Sequence, residues 1–220
     1  MKKKVILLVA LLACMTTASA QLYIGGSLGF STSKVDNGNT DQSGSSFKLL
    51  PDIGYKVDDN ISVGVQIGYS HGMCSFGSLN VTDVKSALGS MVSTMADIND
   101  EDMKLNGFSV SPYIRCNMVN FGAANLFVEG YVGYDNISTD GLALSSGSSN
   151  QQVDKMTFNA FELGLRPGVS LKIGSNLEAI CKLGAVGFIS AKEKESDLKI
   201  TRFGVDADSY NVLIGFNFHL

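Results

Sequence analysis

The chain contains no tryptophan, two histidines, three prolines and four cysteines in 220 residues. Neither the histidines nor the cysteines show metal-ligand spacing, so no metal centre is expected. No phosphate-binding glycine loop is expected either, because the Gly-x-Gly patterns fall inside strand-like segments. Cofactors are therefore expected to be absent. Basic residues are scarce: 17 Lys plus Arg oppose 21 Asp plus Glu, a formal charge of −4. Without the three lysines of the leader (17 − 3 = 14), the charge falls to −7. A nucleic-acid partner requires a basic face, so that class is excluded. Cys74, Cys116 and Cys181 would remain after export, and an odd count argues against a disulfide framework. Beyond the leader, no run is long and apolar enough for a transmembrane helix.

The leader is legible. Lys2, Lys3 and Lys4 precede the apolar run VILLVALLA, followed by Thr16-Thr17-Ala18-Ser19-Ala20. This order of charge, short apolar core and small-residue site predicts a cleavable signal peptide over 1–20 and a mature start at Gln21. The run is shorter than the ~20 residues of a spanning helix. Leu11-Leu12-Ala13-Cys14 resembles a degenerate lipoprotein signal, but Leu12 is poor at its position and Ala18-Ser19-Ala20 fits ordinary cleavage. The remainder, 21–220, is read as one domain.

In that domain eight segments alternate in polarity: 21–33, 47–57, 61–73, 105–119, 126–136, 156–173, 177–190 and 209–220. Alternation with period two marks strands. The closing segment is the clearest, reading YNVLIGFNFHL from Tyr210. Connections alternate too. Asp58-Asp59-Asn60 and Gly174-Ser175-Asn176 are tight turns, and 120–125 is little longer. Between them lie long polar segments at 34–46, 74–104, 137–155 and 191–208. Short turns on one side, long loops on the other and an even strand count predict an all-β fold: an eight-stranded antiparallel up-and-down transmembrane barrel. Pro51, Pro112 and Pro167 recur at similar depths in the second, fourth and sixth strands. Each implies a bulge or local break, because proline cannot donate to the ladder.

Alternation alone leaves a lipocalin-like soluble barrel open. The two faces decide. One carries Leu22, Ile24, Leu28, Ile53, Val65, Ile67, Phe108, Ile114, Leu163, Leu165, Leu183, Ile189 and the apolar residues of the closing strand, with no charge. The other carries Asp52, Lys56, Gln66, Arg115, Asn117, Glu129, Glu162, Arg166, Glu178, Lys182 and Asn217, together with most strand glycines. A solvent face has no reason to collect glycine, which weakens a strand. A narrow lumen does, since large and small side chains must alternate inside it. The charged, glycine-rich face is therefore assigned to the interior and the apolar face to lipid. Tyr55, Tyr69, Tyr134, Phe216 and Phe218 are placed in aromatic girdles at the strand ends.

The segments QLYIGGSLGF, LLPDIGYKVDDNISVGVQIGYS, PYIR, LFVEGYVGYD, LGLRPGVSLKIGSNL and GFNFHL resemble the small OmpX/OmpA-type outer-membrane barrels of Gram-negative bacteria over the whole domain. The resemblance implies residence in the outer membrane, with lipid and lipopolysaccharide as partners. It also implies that the closing strand, through Tyr210, Phe216, Phe218 and Leu220, is the signal read by the barrel-assembly machinery. Leu220 replaces the usual terminal aromatic. Members vary between structural, adhesive and narrow-pore roles.

The candidate site is the interior charge network of Asp52, Arg115, Glu129, Glu162, Arg166 and Lys182, of which Asp52, Arg115, Glu129, Arg166 and Lys182 fall, with Gln66, at similar depths. Buried charges must be paired, so the expectation is a salt-bridged plug, with Arg115 and Glu129 facing each other on neighbouring strands. The alternative is an ion path gated by exchange of partners. A lipid A-modifying enzyme is the third class. His71 is its sole candidate base, but Ser70 and His71 are adjacent and face opposite sides of a strand. No catalytic residue is assigned. In the second long loop, Val84, Leu88, Met91, Met95 and Ile98 have helical spacing. A short helix is predicted there, and the 74–104 loop is the candidate contact for a surface ligand. The expected function is non-enzymatic, structural or surface-interacting, in a monomer, with a narrow solute conduit as the alternative.

Overall fold

The computed structural model describes residues 21–36, 41–72, 104–140, 143–146, 149–152, 156–195, 198–206 and 212–220. The predicted signal peptide, the predicted loop helix, Cys74 and Tyr210 lie outside the described residues. Ten strands form one antiparallel sheet: β1 Gln21–Asp36, β2 Asp41–Lys56, β3 Ile61–Gly72, β4 Lys104–Phe121, β5 Ala124–Asp140, β8 Thr157–Lys172, β9 Leu177–Leu183, β10 Ala185–Glu193, β11 Lys199–Asp206 and β12 Val212–His219. A separate hairpin joins β6 Ala143–Ser146 to β7 Ser149–Gln152. Successive strands pair from β1 through β5 to β8. Strand β9 then pairs with both β8 and β12, and β12 returns to β1. The ring is closed as an eight-staved barrel, with β9 and β10 sharing one stave.

Burial follows the alternation. In β8 it runs strictly in twos, with Glu162, Gly164, Arg166 and Gly168 inside and Phe161, Leu163 and Leu165 about half exposed. The same apolar exterior continues through Ile24, Leu28, Ile67, Ile114 and Ile214. In water such a surface would be an aggregation hazard; in a bilayer it is the lipid face. The girdle residues Tyr69, Tyr134, Phe216 and Phe218 also point outward. Strands β1, β2, β4, β5 and β8 have 16 to 18 residues. A tilted strand crosses hydrocarbon in about 9–11, so the barrel wall continues past the membrane on the long-loop side.

That continuation revises several boundaries. Much of 34–46 is strand, since Lys34 pairs with Ser43 and Asp36 with Asp41. The 137–155 segment begins as strand to Asp140 and contains the β6–β7 hairpin. The 191–208 segment is the hairpin from β10 into β11, so the eighth stave starts at Lys199 rather than Ser209. Mixed charge in KEKESDLKITR hid this, because strands above the membrane need no apolar face.

The prolines act as local breaks. The β2–β3 ladder runs from Leu49 opposite Tyr69 to Asp52 opposite Gln66 in unchanged register, skipping Pro51. The β4–β5 ladder skips Pro112 in the same way. Beside Pro167 the register does shift. Gly168 faces Lys182, but Leu165 faces Val186, and Gly184 between them has φ +67. A left-handed glycine inserts the extra residue of a bulge. The shift reverses parity along that stave, so Ile189 is buried inside and does not belong to the lipid face.

Candidate functional site

Three neighbouring strands bring one carboxylate between two guanidinium groups. Glu129 on β5 is directly opposite Arg115 on β4 and Arg166 on β8. Arg115 donates to Glu129 Oε2 from Nη2 at 2.9 Å and from Nε at 3.3 Å. Arg166 Nη1 donates to Oε1 at 3.3 Å, and Lys182 Nζ from β9 donates to the same oxygen at 3.0 Å. Glu129 and Lys182 are both 0 % exposed. Such charges are tolerable only when paired and hydrogen-bonded, and here one carboxylate receives four charge-assisted bonds.

The cluster crosses the lumen. Arg166 Nη1 also donates to Gln66 Oε1 on β3 at 3.3 Å, and Gln66 Nε2 donates to Asp52 Oδ2 on β2 at 3.4 Å. With its amide turned to present oxygen, Asn217 of β12 accepts from Arg115 Nη1 at 3.2 Å. Side chains from seven of the eight staves thus meet in one layer. Glu162, expected within this network, lies two lumen-facing positions nearer the loops than Arg166, where Asp135 and Lys48 are also buried. Among the described residues, four cations (Lys48, Arg115, Arg166, Lys182) and five carboxylates (Asp52, Glu129, Asp135, Glu162, Glu193) are buried.

Aromatic rings complete the layer. Arg115 lies 4.6 Å from the Phe127 centroid and 5.4 Å from that of Tyr113; Arg166 lies 4.3 Å from that of Tyr131. The hydroxyls of Tyr23 and Tyr113 are 2.7 Å apart, and Tyr113 donates to Asp52 Oδ2 at 3.4 Å. Each large ring has a glycine directly opposite: Tyr23 faces Gly54, Tyr113 faces Gly64, Phe127 faces Gly168 and Tyr131 faces Gly164. A Cβ on Gly164 would lie 2.8 Å from the Tyr131 hydroxyl. The glycine bias of the interior face is therefore specific, since each ring lies flat across the neighbouring strand. These rings, with Lys48 and Asp135, complete the site beyond the expected charges. Their signal was available, because they share parity with those charges and face the glycines in register.

On the short-turn side a cavity of about 470 Å³ is lined by Lys56, Asn117, Asn125, Lys172, Glu178 and His219 and reaches Tyr23 and Arg115. The His219 imidazole lies 5.4 Å from the Tyr23 ring centroid, and its Nε2 is 3.4 Å from Glu178 Oε2. Ser70 is buried inside, whereas His71 points outward with Nδ1 2.6 Å from Asn106 Oδ1, so the two form no dyad. Cys116 and Cys181 alternate with Arg115 and Lys182 and are half-buried on the lipid face. Among the described residues, no group of three or more His, Cys, Asp or Glu side chains could hold a metal ion.

A family model described as "Outer membrane protein beta-barrel domain" matches residues 5–218. No curated protein matches the chain. Among solved structures, Neisserial surface protein A is 12% identical with a TM-score of 0.45, covering 91% of this chain and 99% of that one. A major outer membrane protein from Thermus thermophilus is 15% identical with a TM-score of 0.44, covering 92% and 100%. The attachment invasion locus protein Ail of Yersinia pestis is 12% identical with a TM-score of 0.34, covering 91% and 97%.

Proposed function

As a member of the outer membrane protein β-barrel domain family, this chain is an integral outer-membrane barrel, and we propose that it is a non-conducting, non-enzymatic envelope protein with a structural or surface-interaction role. The observation that carries this reading is the Glu129 layer, in which buried side chains tie opposite walls of the lumen together. An eight-stranded barrel is only just wide enough for its own side chains, and here the middle is filled by charges and rings. The layer acts as a plug that fixes the wall.

The working surface then lies outside, where the 74–104 loop is the candidate contact for a ligand, and the chain acts as a monomer. Phe216, Phe218 and Leu220 of the closing strand serve as the assembly signal for the barrel-assembly machinery. A lipid A-modifying activity is disfavoured by the separation of Ser70 and His71 across the wall; overexpression should leave lipid A unchanged in mass.

Planar-bilayer recording tests the plug. The wild-type protein should give no reproducible conductance steps. Steps that shift in Arg115→Ala would refute the plug and favour a narrow conduit, which the cavity of about 470 Å³ below Arg115 would then feed.

A further inference from the structure

On the loop side of the Glu129 layer, two neighbouring lumen rows gather oxygen atoms in one patch. In the upper row Gly68 of β3 is opposite Ser109 of β4, Ser109 is opposite Asp135 of β5, and Asp135 is opposite Ala160 of β8. In the row below, Gln66 is opposite Ser111, and Gly133 is opposite Glu162. Gly133 lies between the last two side chains. A Cβ there would sit 3.1 Å from Ser111 Oγ and 3.7 Å from Glu162 Oε2. Ser109, Ser111, Asp135 and Glu162 are all buried.

Asp135 and Glu162 are diagonal neighbours on adjacent strands, and their carboxyl groups meet. Asp135 is 0 % exposed, and neither of its oxygens has a hydrogen-bond partner among the described residues. The Ser109 hydroxyl, directly opposite and 1 % exposed, has none either. The contrast with Glu129 is sharp, since that carboxylate receives four charge-assisted bonds. A buried carboxylate without a partner is costly, and a second carboxylate against it adds repulsion. What converges on this patch is acceptor oxygen, and the group that satisfies acceptor oxygen is a cation.

We propose that Asp135 and Glu162, with the hydroxyls of Ser109 and Ser111, form a calcium site in the loop-side half of the lumen. The donor set holds two carboxylates rather than three, and hydroxyls supply the rest. Oxygen donors without nitrogen or sulfur select a hard cation. Both Asp135 oxygens are free to chelate, a mode that calcium accepts more readily than magnesium with its strict octahedron. Gly68, Gly133, Ala160 and Ala191, which is opposite Ala160, keep the patch small-sided and leave room for the ion and its waters. Among the described residues, the lumen-facing cations on this side of the layer are Lys48 and Arg202, against Asp135, Glu162 and Glu193. That single excess negative charge sets a modest affinity, of about 0.1–1 mM, the range of extracellular calcium modules. The site is separate from the plug beneath it and stands whether or not that layer conducts.

The test is isothermal titration calorimetry of the full folded chain in neutral detergent with calcium chloride. Wild type should bind calcium in the range of about 0.1–1 mM, and Asp135→Asn should weaken binding at least about tenfold. Ser109→Ala should weaken it less, and magnesium chloride should bind the wild type at least about tenfold more weakly than calcium. Glu195→Gln, which removes an exposed carboxylate outside the patch, should change nothing. Calcium should also raise the urea midpoint of the wild type over that in chelator, and leave Asp135→Asn unmoved. Equal calcium binding by wild type and Asp135→Asn would overturn the proposal, as would absence of binding up to about 10 mM. Equal affinity for magnesium would reduce the patch to a general counter-ion region and equally overturn it. If Asp135→Asn fails to show the heat-modifiable band of a folded barrel, Ser109→Ala and Ser111→Ala decide: weakened calcium binding in both upholds the site, and unchanged binding in both overturns it.

Discussion

Replacing Glu129 by alanine would strip three buried cations of their common partner. Arg115, Arg166 and Lys182 together make four hydrogen bonds to its carboxylate, between 2.9 and 3.3 Å. Removing one partner of a buried pair costs about 3–5 kcal/mol, because the remaining charge loses both solvent and partner. Two features hold the cost within that range. Arg115 reaches the cavity on the short-turn side, so water can solvate part of it. Arg115 and Arg166 also keep the faces of Phe127 and Tyr131, each such contact being worth up to about 2 kcal/mol when desolvated. We predict a loss of about 3–4 kcal/mol for Glu129→Ala. Glu129→Gln keeps the volume and an acceptor but not the charge, and should lose about 2 kcal/mol. Lys182→Met leaves Glu129 with both arginines and removes one desolvated charge, so its cost should be about 1 kcal/mol or less. The assay is urea unfolding of the protein in lipid vesicles, followed by circular dichroism and the mobility of the folded band, since the chain has no tryptophan to report. A Glu129→Ala variant within about 1 kcal/mol of wild type, or Lys182→Met as damaging as Glu129→Ala, would refute the plug as a source of stability.

The ring-over-glycine packing makes its own prediction. Gly164→Val should cost about 1–3 kcal/mol by forcing the Tyr131 ring off its neighbour. In the double variant with Tyr131→Ala the two losses should sum to less than their parts, as a urea-based double-mutant cycle would show. Tyr23→Phe and Tyr113→Phe each remove one end of a buried hydroxyl pair and should cost about 1 kcal/mol. Fully additive losses in the double phenylalanine variant would argue that the two hydroxyls do not interact.

Much of the barrel was legible before any coordinates. Phe161 to Gly168 alternates apolar and lumen residues without a break, and its parity survives unchanged in the fold. Tight turns at 58–60 and 174–176 fixed neighbours, because a short connection leaves antiparallel pairing as the only geometry. The strand ends were less legible. At its loop end β11 carries Lys199 and Arg202, and its wall there is specified by pairing with β10 rather than by a lipid-facing pattern. Ile189 marks the limit of counting by twos. Its parity depended on one left-handed glycine, Gly184, whose conformation a polarity pattern does not carry.

The charged layer divides in the same way. That Arg115, Glu129 and Arg166 point inward follows from alternation alone, but Arg115 faces Glu129 only because a bulge between Asn117 and Val119 shifts the register; counted straight out from the turn, Arg115 would face Gly130. Alternation specifies a face but not a height, and neighbours along the chain say nothing about partners across a lumen. Closure brought Lys182 onto Glu129, Arg166 onto Gln66 and Asn217 onto Arg115. Sequence by itself determined an exported barrel with an apolar exterior and a charged, glycine-lined interior, because those are properties of single strands. Tertiary structure decided which charges meet, since that depends on stagger and closure of the whole ring.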